Sequence, residues 1–330
     1  MPGAPTRRCA RMLAALLAVL TLPSCSEMFD GAPLPGGEPR TLTHQGVERH
    51  FLLRNAEVAA AGPAPLVVSL HGYRGVEQAL AERKDLSGIA WKELDRVADR
   101  EEFVIAYPHA WLGKWSMFEG LENARLGDGR MVDDAGFIAV LVSRLVDEGV
   151  ADAERVYLTG FSDGAIMTYR LLCTPGMPFA AAAPGAGSMY EPHRDNCAAE
   201  APLPIMVIAG THDAILPYDG WLFETGREIS IPETMEHFRL VNGCTGQKGR
   251  LLDDRNMWDD SRVLEMHWTG CAVENSVKLL KVKGGGHNWP SHGSIPDEWR
   301  RWAGTHNRDI ESADEIWKFV SRFRKSRSRP

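Results

Sequence analysis

The chain has 330 residues, enough for one large domain or two average ones. A chain of that length buries most of the surface it exposes when unfolded, so it needs no metal or disulfide to fold. Charged residues are 25% and hydrophobic ones 44%, which excludes a disordered or fibrous chain. Net charge is −7, from 37 basic and 44 acidic residues, and no basic stripe marks a nucleic-acid surface. Tryptophan is the departure: 10 residues, roughly twice ordinary usage.

Arg7, Arg8 and Arg11 precede an apolar run at 12–22 (MLAALLAVLTL). A membrane-spanning helix needs about 20 apolar residues, so this run is too short to span. Residues 1–24 are predicted to be a signal peptide. The end of the run, Leu22-Pro23-Ser24-Cys25, resembles the lipobox of bacterial lipoproteins, although Pro23 departs from the usual small residue. That makes Cys25 a candidate for lipidation, the only membrane attachment expected. The expected location is the bacterial cell envelope, in the periplasm or on the outer membrane. An ordinary secretory cut near Ser24 or Ser26 would instead release an extracellular protein. Residues 25–40, rich in Pro and Gly, read as a tether, and 325–330 as a short basic tail.

Beyond Cys9 and Cys25 four cysteines remain: Cys173, Cys197, Cys244 and Cys271. An even number in an exported chain points to two disulfides. Of the three connectivities, sequential pairing keeps each loop within one stretch of chain and is favoured. The alternative is four buried free thiols. The spacings do not suit a zinc site.

From about 41 to 324 the pattern alternates strand and helix in one catalytic-size domain. Residues 48–54 alternate like a half-exposed strand, and 66–70 (LVVSL) read as a strand buried on both faces. A helix at 86–100 leads to a strand at 103–106. A second helix at 133–148 places Phe137, Val140, Leu141 and Leu145 on one face. A strand at 155–160 and a helix from about 163 follow. Short strands come near 180, at 205–209 and at 276–282, before a last helix at 312–324 with Ile316, Phe319 and Val320 inward. This alternation implies a mostly parallel central sheet with helices on both faces, an α/β fold. In such sheets function sits at the carboxyl ends of the strands.

Three strand ends carry chemistry. The strand at 155–160 runs into Gly160-Phe161-Ser162-Asp163-Gly164, a G-x-S-x-G turn that exposes a serine hydroxyl between strand and helix. A plain serine turn is the bland alternative. A serine needs a base to take its proton. His287 follows Gly284-Gly285-Gly286 after the strand at 276–282. The base needs an orienting carboxylate, and Asp213 is the first acid after the strand at 205–209, with Asp219 as rival. His212 beside it reads as packing. The chain order Ser162, Asp213, His287 is the order of α/β-hydrolase folds. Backbone N–H groups of Tyr73 and Asp163 are the candidates for an oxyanion hole, with His71 as a loop anchor.

With these residues in place the chain resembles the polyhydroxybutyrate depolymerase and feruloyl esterase branch of secreted α/β-hydrolases. The similarity runs from about 48 to 320 and is most specific in GFSDGAIM (160–167) and GGGHNWP (284–290). It implies serine esterase activity with Ser162, Asp213 and His287 as the triad, and pairing of Cys244 with a downstream cysteine such as Cys271. One departure is the segment 291–310, longer and more charged than the family pattern.

The expected reaction is two-step acyl transfer through an acyl-enzyme, which requires no cofactor or metal. The expected partner is a small or polymeric ester: feruloyl or acetyl esters of plant polysaccharide, or a polyester. Trp111, Trp115 and Trp289 are candidates to line the substrate, with Trp299 and Trp302 just past His287. Core or loop packing is the alternative for each. A peptidase on this scaffold would need a cap or propeller for which one core leaves no room. A non-catalytic surface lipoprotein that keeps the fold as a binding module is the reading from another class.

Overall fold

The computed structural model describes residues 37–73, 88–117, 125–198, 202–223, 226–293, 295 and 297–325. The expected signal peptide, Cys25 and most of the basic tail lie outside these residues.

A 10-stranded sheet holds the molecule together, in the order β1-β2-β4-β3-β5-β6-β7-β12-β11-β10. Its centre is parallel. There β3 (Ala64–Leu70), β4 (Val104–Pro108), β5 (Ala151–Phe161), β6 (Ala181–Gly185), β7 (Ile205–Gly210) and β12 (Val277–Lys283) lie side by side. These are the continuous apolar runs of the sequence. Leu66, Val68, Val104, Val156, Leu158, Ala182, Ile205 and Val207 are all fully buried. Side chains on both faces of such strands need cover, and helices supply it. The main ones are α1 (Gly88–Glu101), α2 (Asp134–Asp147), α3 (Asp163–Cys173), α5 (Ile231–Val241) and α7 (Ser312–Val320). Two short helices, α4 (Glu191–Asp195) and α6 (Asp297–Ala303), sit in connections.

The antiparallel edges depart from the expected plan. At one edge β1 (Glu38–His44) forms a hairpin with β2 (Val47–Arg54). Pairing therefore begins at Glu38, inside the segment expected to be tether. At the other edge β10 (Gly246–Leu251) and β11 (Arg262–Thr269) extend the sheet beyond β12. Residues 247–251 are exposed, so no apolar alternation announced that strand. A separate hairpin joins β8 (Trp221–Phe223) to β9 (Gly226–Glu228).

Helix α2 corrects one detail. Its buried stripe is Phe137, Ile138, Leu141, Val142 and Leu145, while Val140 is exposed. Residues at i, i+4 and i+8 set the centre of the stripe, and its flank turns toward 138 and 142. Asp133 caps the helix by accepting from the Gly136 N–H at 2.8 Å. Next to it Asp134, fully buried, accepts from the Arg49 guanidinium on β2 and from the Ser116 N–H at 2.6 Å. One carboxylate thus ties the helix start to the sheet edge and to the segment after β4.

The cysteines pair sequentially, Cys173 with Cys197 and Cys244 with Cys271. The first closes the end of α3 onto the segment after α4. The second closes the end of α5 onto the turn after β11.

Removing one partner of a buried ion pair strands the other charge in low dielectric. Asp134→Ala is expected to cost about 3–5 kcal/mol, read as a lower urea midpoint at unchanged m-value. A surface control, Asp128→Ala, should leave the midpoint in place.

Candidate active site

Strand β5 ends at Phe161 and α3 begins at Asp163, so the whole reversal falls on Ser162. Its backbone sits at φ 57°, ψ −121°, a conformation that side chains rarely adopt. The flanking glycines make the turn possible. A Cβ on Gly160 would collide with the Gly164 carbonyl, and a Cβ on Gly164 with the carbonyls of Leu70 and His71. The turn is held by the Ser162 N–H donating to Gly185 O at 3.1 Å, and by Ser162 O accepting from the Ala165 N–H at 2.8 Å.

Two further strand ends converge on this hydroxyl. His287 Nε2 lies 3.0 Å from Ser162 Oγ, and His287 Nδ1 lies 2.7 Å from Asp213 Oδ2. Asp213 Oδ1 accepts from the N–H groups of Ile215 and Leu216, both at 2.9 Å. Those two donors fix the carboxylate's orientation and leave its second oxygen for the imidazole. His287, Asp213 and Ser162 are 1%, 6% and 8% exposed, so the chain of hydrogen bonds runs in a nearly dry setting. Asp219 and His212 are exposed and take no part in it.

The loop carrying His287 is stitched to the unexpected segment at 291–310. The Gly286 N–H donates to Thr305 O at 2.9 Å, the His287 N–H to Ala303 O at 2.6 Å, and the Ser291 N–H to Asn307 O at 3.1 Å. Asn288 Nδ2 donates to the Gly304 and Thr305 carbonyls, both at 3.2 Å. The long charged insertion therefore folds back as a brace for the imidazole. It also delivers Trp302, 58% exposed, edge-on to the His287 ring at 6.3 Å. Phe161 meets the same ring at 4.9 Å, and Trp289 in turn packs on Phe161 at 5.6 Å. A Cβ on Gly185 would occupy the space of the Trp289 ring, so that glycine admits the indole.

The remaining tryptophans separate. Trp115 is corrected from a lining candidate to a buried support. Its indole N–H donates to His71 O at 2.8 Å and its ring lies 4.8 Å from the His71 ring, at 1% exposure. Trp111 is half-buried in the 3-10 turn Trp111–Gly113. The Trp299 side chain lies outside the described residues.

His71 anchors the loop after β3. The Ala110 N–H donates to its Nε2 at 3.1 Å, so its Nδ1 carries the proton and donates to Gly72 O at 2.6 Å. Burial pulls its pKa down to about 4, which keeps the ring neutral and that tautomer in place. The loop then passes directly beside the serine: a Cβ on Gly72 would lie 3.2 Å from Ser162 Cβ. Tyr73, the next residue, is 53% exposed, with the Lys114 ammonium 5.1 Å above its ring.

Burial pushes the Asp163 carboxyl up to about 6, against the opposing pull of His287 and Lys114. Burial likewise pushes Glu228 up to about 7, with the charges of Asp213 and Asp163 adding to it. Glu228 and Trp302 belong to this neighbourhood although no motif flagged the first and only proximity in sequence suggested the second.

No protein-family model matches the chain. It is 27% identical over 237 residues to the bifunctional acetylxylan esterase/xylanase XynS20E of Neocallimastix patriciarum, covering 72% of this chain and 30% of that protein. It is 26% identical over 302 residues to the putative esterase NocK of Nocardia uniformis subsp. tsuyamanensis, covering 85% and 81%. Shorter matches reach feruloyl esterase B of Piromyces equi (29% over 162 residues, 47% of this chain and 29% of that one) and poly(3-hydroxyalkanoate) depolymerase C of Paucimonas lemoignei (34% over 130 residues, 39% and 29%). Among solved structures, acetyl xylan esterase from Aspergillus awamori superposes with a TM-score of 0.52 at 18% identity, over 81% of this chain and 98% of that one. The chain therefore has the α/β-hydrolase fold and is distantly related to esterases of that fold. The relatives span several ester-cleaving types, so the similarity singles out no one branch.

A methyl group at Gly164 has no room between α3 and the loop after β3. Gly164→Ala is expected to cost about 1–3 kcal/mol in stability. Thermal unfolding should register the loss, and Gly127→Ala, where a Cβ meets nothing within 4 Å and φ is not positive, provides the control for a substitution without a clash.

Proposed function

We propose that the protein is a serine hydrolase of carboxylic esters, with Ser162 as nucleophile, His287 as general base and acid, and Asp213 as the carboxylate that orients the imidazole. The observation that carries this reading is the continuous hydrogen-bond chain from Asp213 Oδ2 through both nitrogens of His287 to Ser162 Oγ. With Nδ1–H donating to Asp213, Nε2 is left to accept the serine proton.

Ser162 Oγ attacks the ester carbonyl carbon while its proton passes to His287 Nε2. The carbonyl electron pair moves onto oxygen, where the backbone N–H groups of Tyr73 and Asp163 stabilise the charge. The tetrahedral intermediate collapses, the C–O bond to the alcohol breaks, and His287 returns the proton to that oxygen. Water then repeats the sequence on the acyl-enzyme, regenerating Ser162 and releasing the acid. Asp213 stabilises the imidazolium at each step and stays ionised.

Feruloyl or acetyl esters of plant polysaccharide are the proposed substrates. Support comes from the aromatic rings of Phe161 and Trp302 against His287, with Trp289 packed on Phe161, which suit stacking of flat rings. It also comes from similarity to proteins named for acetylxylan and feruloyl esters. The N-terminal segment is read as an export signal with Cys25 as lipid anchor. Two disulfides accord with an oxidising compartment.

The test is hydrolysis of p-nitrophenyl acetate, methyl ferulate, acetylated xylan and hydroxybutyrate oligomers by wild type and Ser162→Ala. Wild type should cleave the first three, and Ser162→Ala should lose at least about 10³-fold in kcat. Preference for hydroxybutyrate oligomers would move the assignment to polyester. Equal inertness of both proteins on all four would replace the enzyme with a binding module. Asp213→Asn should lose on the order of 10⁴-fold in kcat, because the amide favours the wrong imidazole tautomer.

A further inference from the structure

Glu228 closes the β9 strand of the small hairpin, and only 1% of it reaches solvent. Its Oε1 accepts from the Ser188 N–H at 2.7 Å and from Ser188 Oγ at 3.0 Å. Its Oε2 is buried with no hydrogen-bond partner among the described residues. A carboxyl in that position is costly, and a purely structural clamp would be served as well by a neutral acceptor.

What it clamps leads directly to the nucleophile. Ser188 lies three residues beyond Gly185, whose carbonyl holds the Ser162 N–H. Between them Ala186 is strained at φ 51°, and a Cβ on Gly187 would lie 3.0 Å from Ser162 O and 3.5 Å from Leu216 Cδ1. The Gly187 carbonyl accepts from Tyr169 of α3 at 3.2 Å. The 186–189 segment is thus wedged between the serine turn and the Asp213 loop, and Glu228 pins its far side.

We propose that Glu228 is a positioning residue for the ester-cleaving site: it pins the 186–189 segment beneath Ser162, and its buried negative charge strengthens His287 as a base. This rests on the serine-hydrolase assignment. The groups facing Glu228 are few. Asp163 and Tyr169 come from α3, Ser188 from the segment after β6, and Asp213 from the loop after β7. Arg227, its neighbour in sequence, is bound to Glu191 and Glu233 instead. Among the described residues no cation pairs with Glu228, and the charges it acts on are Asp213, which holds the His287 ring, and Asp163. Burial, with a smaller repulsion from Asp213 and Asp163, pushes its carboxyl up to about 7, within the working range of an imidazole base. Below that range the folded carboxyl is neutral and the field on His287 is weaker. Above it the charge is present, at some expense to stability.

Glu228→Gln separates charge from shape, because the amide oxygen still accepts from Ser188. Its unfolding temperature should approach wild type only below the ordinary carboxylate range, at about pH 4, where the Glu228 side chain is neutral in folded and unfolded chains alike. NMR titration of the His287 ring protons should show its midpoint about half a pH unit or more lower in Glu228→Gln. In ester hydrolysis the acidic limb of kcat/KM should move the same way, with kcat lower by about 3–10-fold on the plateau and KM unchanged. A His287 midpoint and an acidic limb that coincide with wild type would overturn the proposal. Labelling of Ser162 by a fluorophosphonate decides the hydrolase assignment separately. Without labelling at any pH that assignment falls, while the His287 titration still reports whether the Glu228 charge reaches the imidazole.

Discussion

The backbone of Ser162 is the constraint on which the site depends. A side chain held at φ 57°, ψ −121° is strained, and it persists only because its surroundings leave no alternative. Those surroundings can be named. Gly160 and Gly164 give the room, Gly185 O takes the serine N–H, and the Gly72 backbone presses from the opposite side. They come from three strand ends of the parallel centre, those of β5, β6 and β3. The sheet acts as a jig that brings distant segments to one point, and the strain lifts the hydroxyl toward His287.

Electrostatics around that point are one-sided. Asp213 and Asp163 act on one imidazole and Glu228 acts on both of them, and burial raises two of the three, Asp163 to about 6 and Glu228 to about 7. Asp213 differs in being held by two backbone N–H groups, which fix its orientation toward the imidazole. Against these acids, Lys114 acts on Asp163 from the rim, where it lies over the Tyr73 ring. A site built this way suits a reaction in which positive charge appears on the imidazole. Burial of a neutral His71 behind the loop keeps a second imidazole from competing.

The central fold was legible because buried parallel strands are written as continuous apolar runs, and the rule about strand ends then pointed to Ser162, Asp213 and His287. Their meeting within hydrogen-bond distance needed coordinates. What went unread was long-range or edge structure. Strand β10 is exposed and mixed in character, so its pairing comes from β11 and not from its own pattern. Helix α5 carries a local signal in its sequence, Ser230 with Glu233 in a reciprocal cap. Trp115 and Trp302 look alike in sequence, yet one supports the loop behind the serine and the other stands exposed at the rim. Glu228 had no signal at all, because its meaning lies in Ser188, 40 residues away.

The most direct test of the account is to catch the covalent intermediate. The protein would be quenched in acid during turnover of p-nitrophenyl acetate, digested, and its peptides weighed. The account predicts an acetyl group on the peptide containing Ser162, at the serine itself, and none after His287→Ala. Turnover with acetyl on another residue, or with an unmodified Ser162 under conditions where deacylation limits the rate, would contradict it.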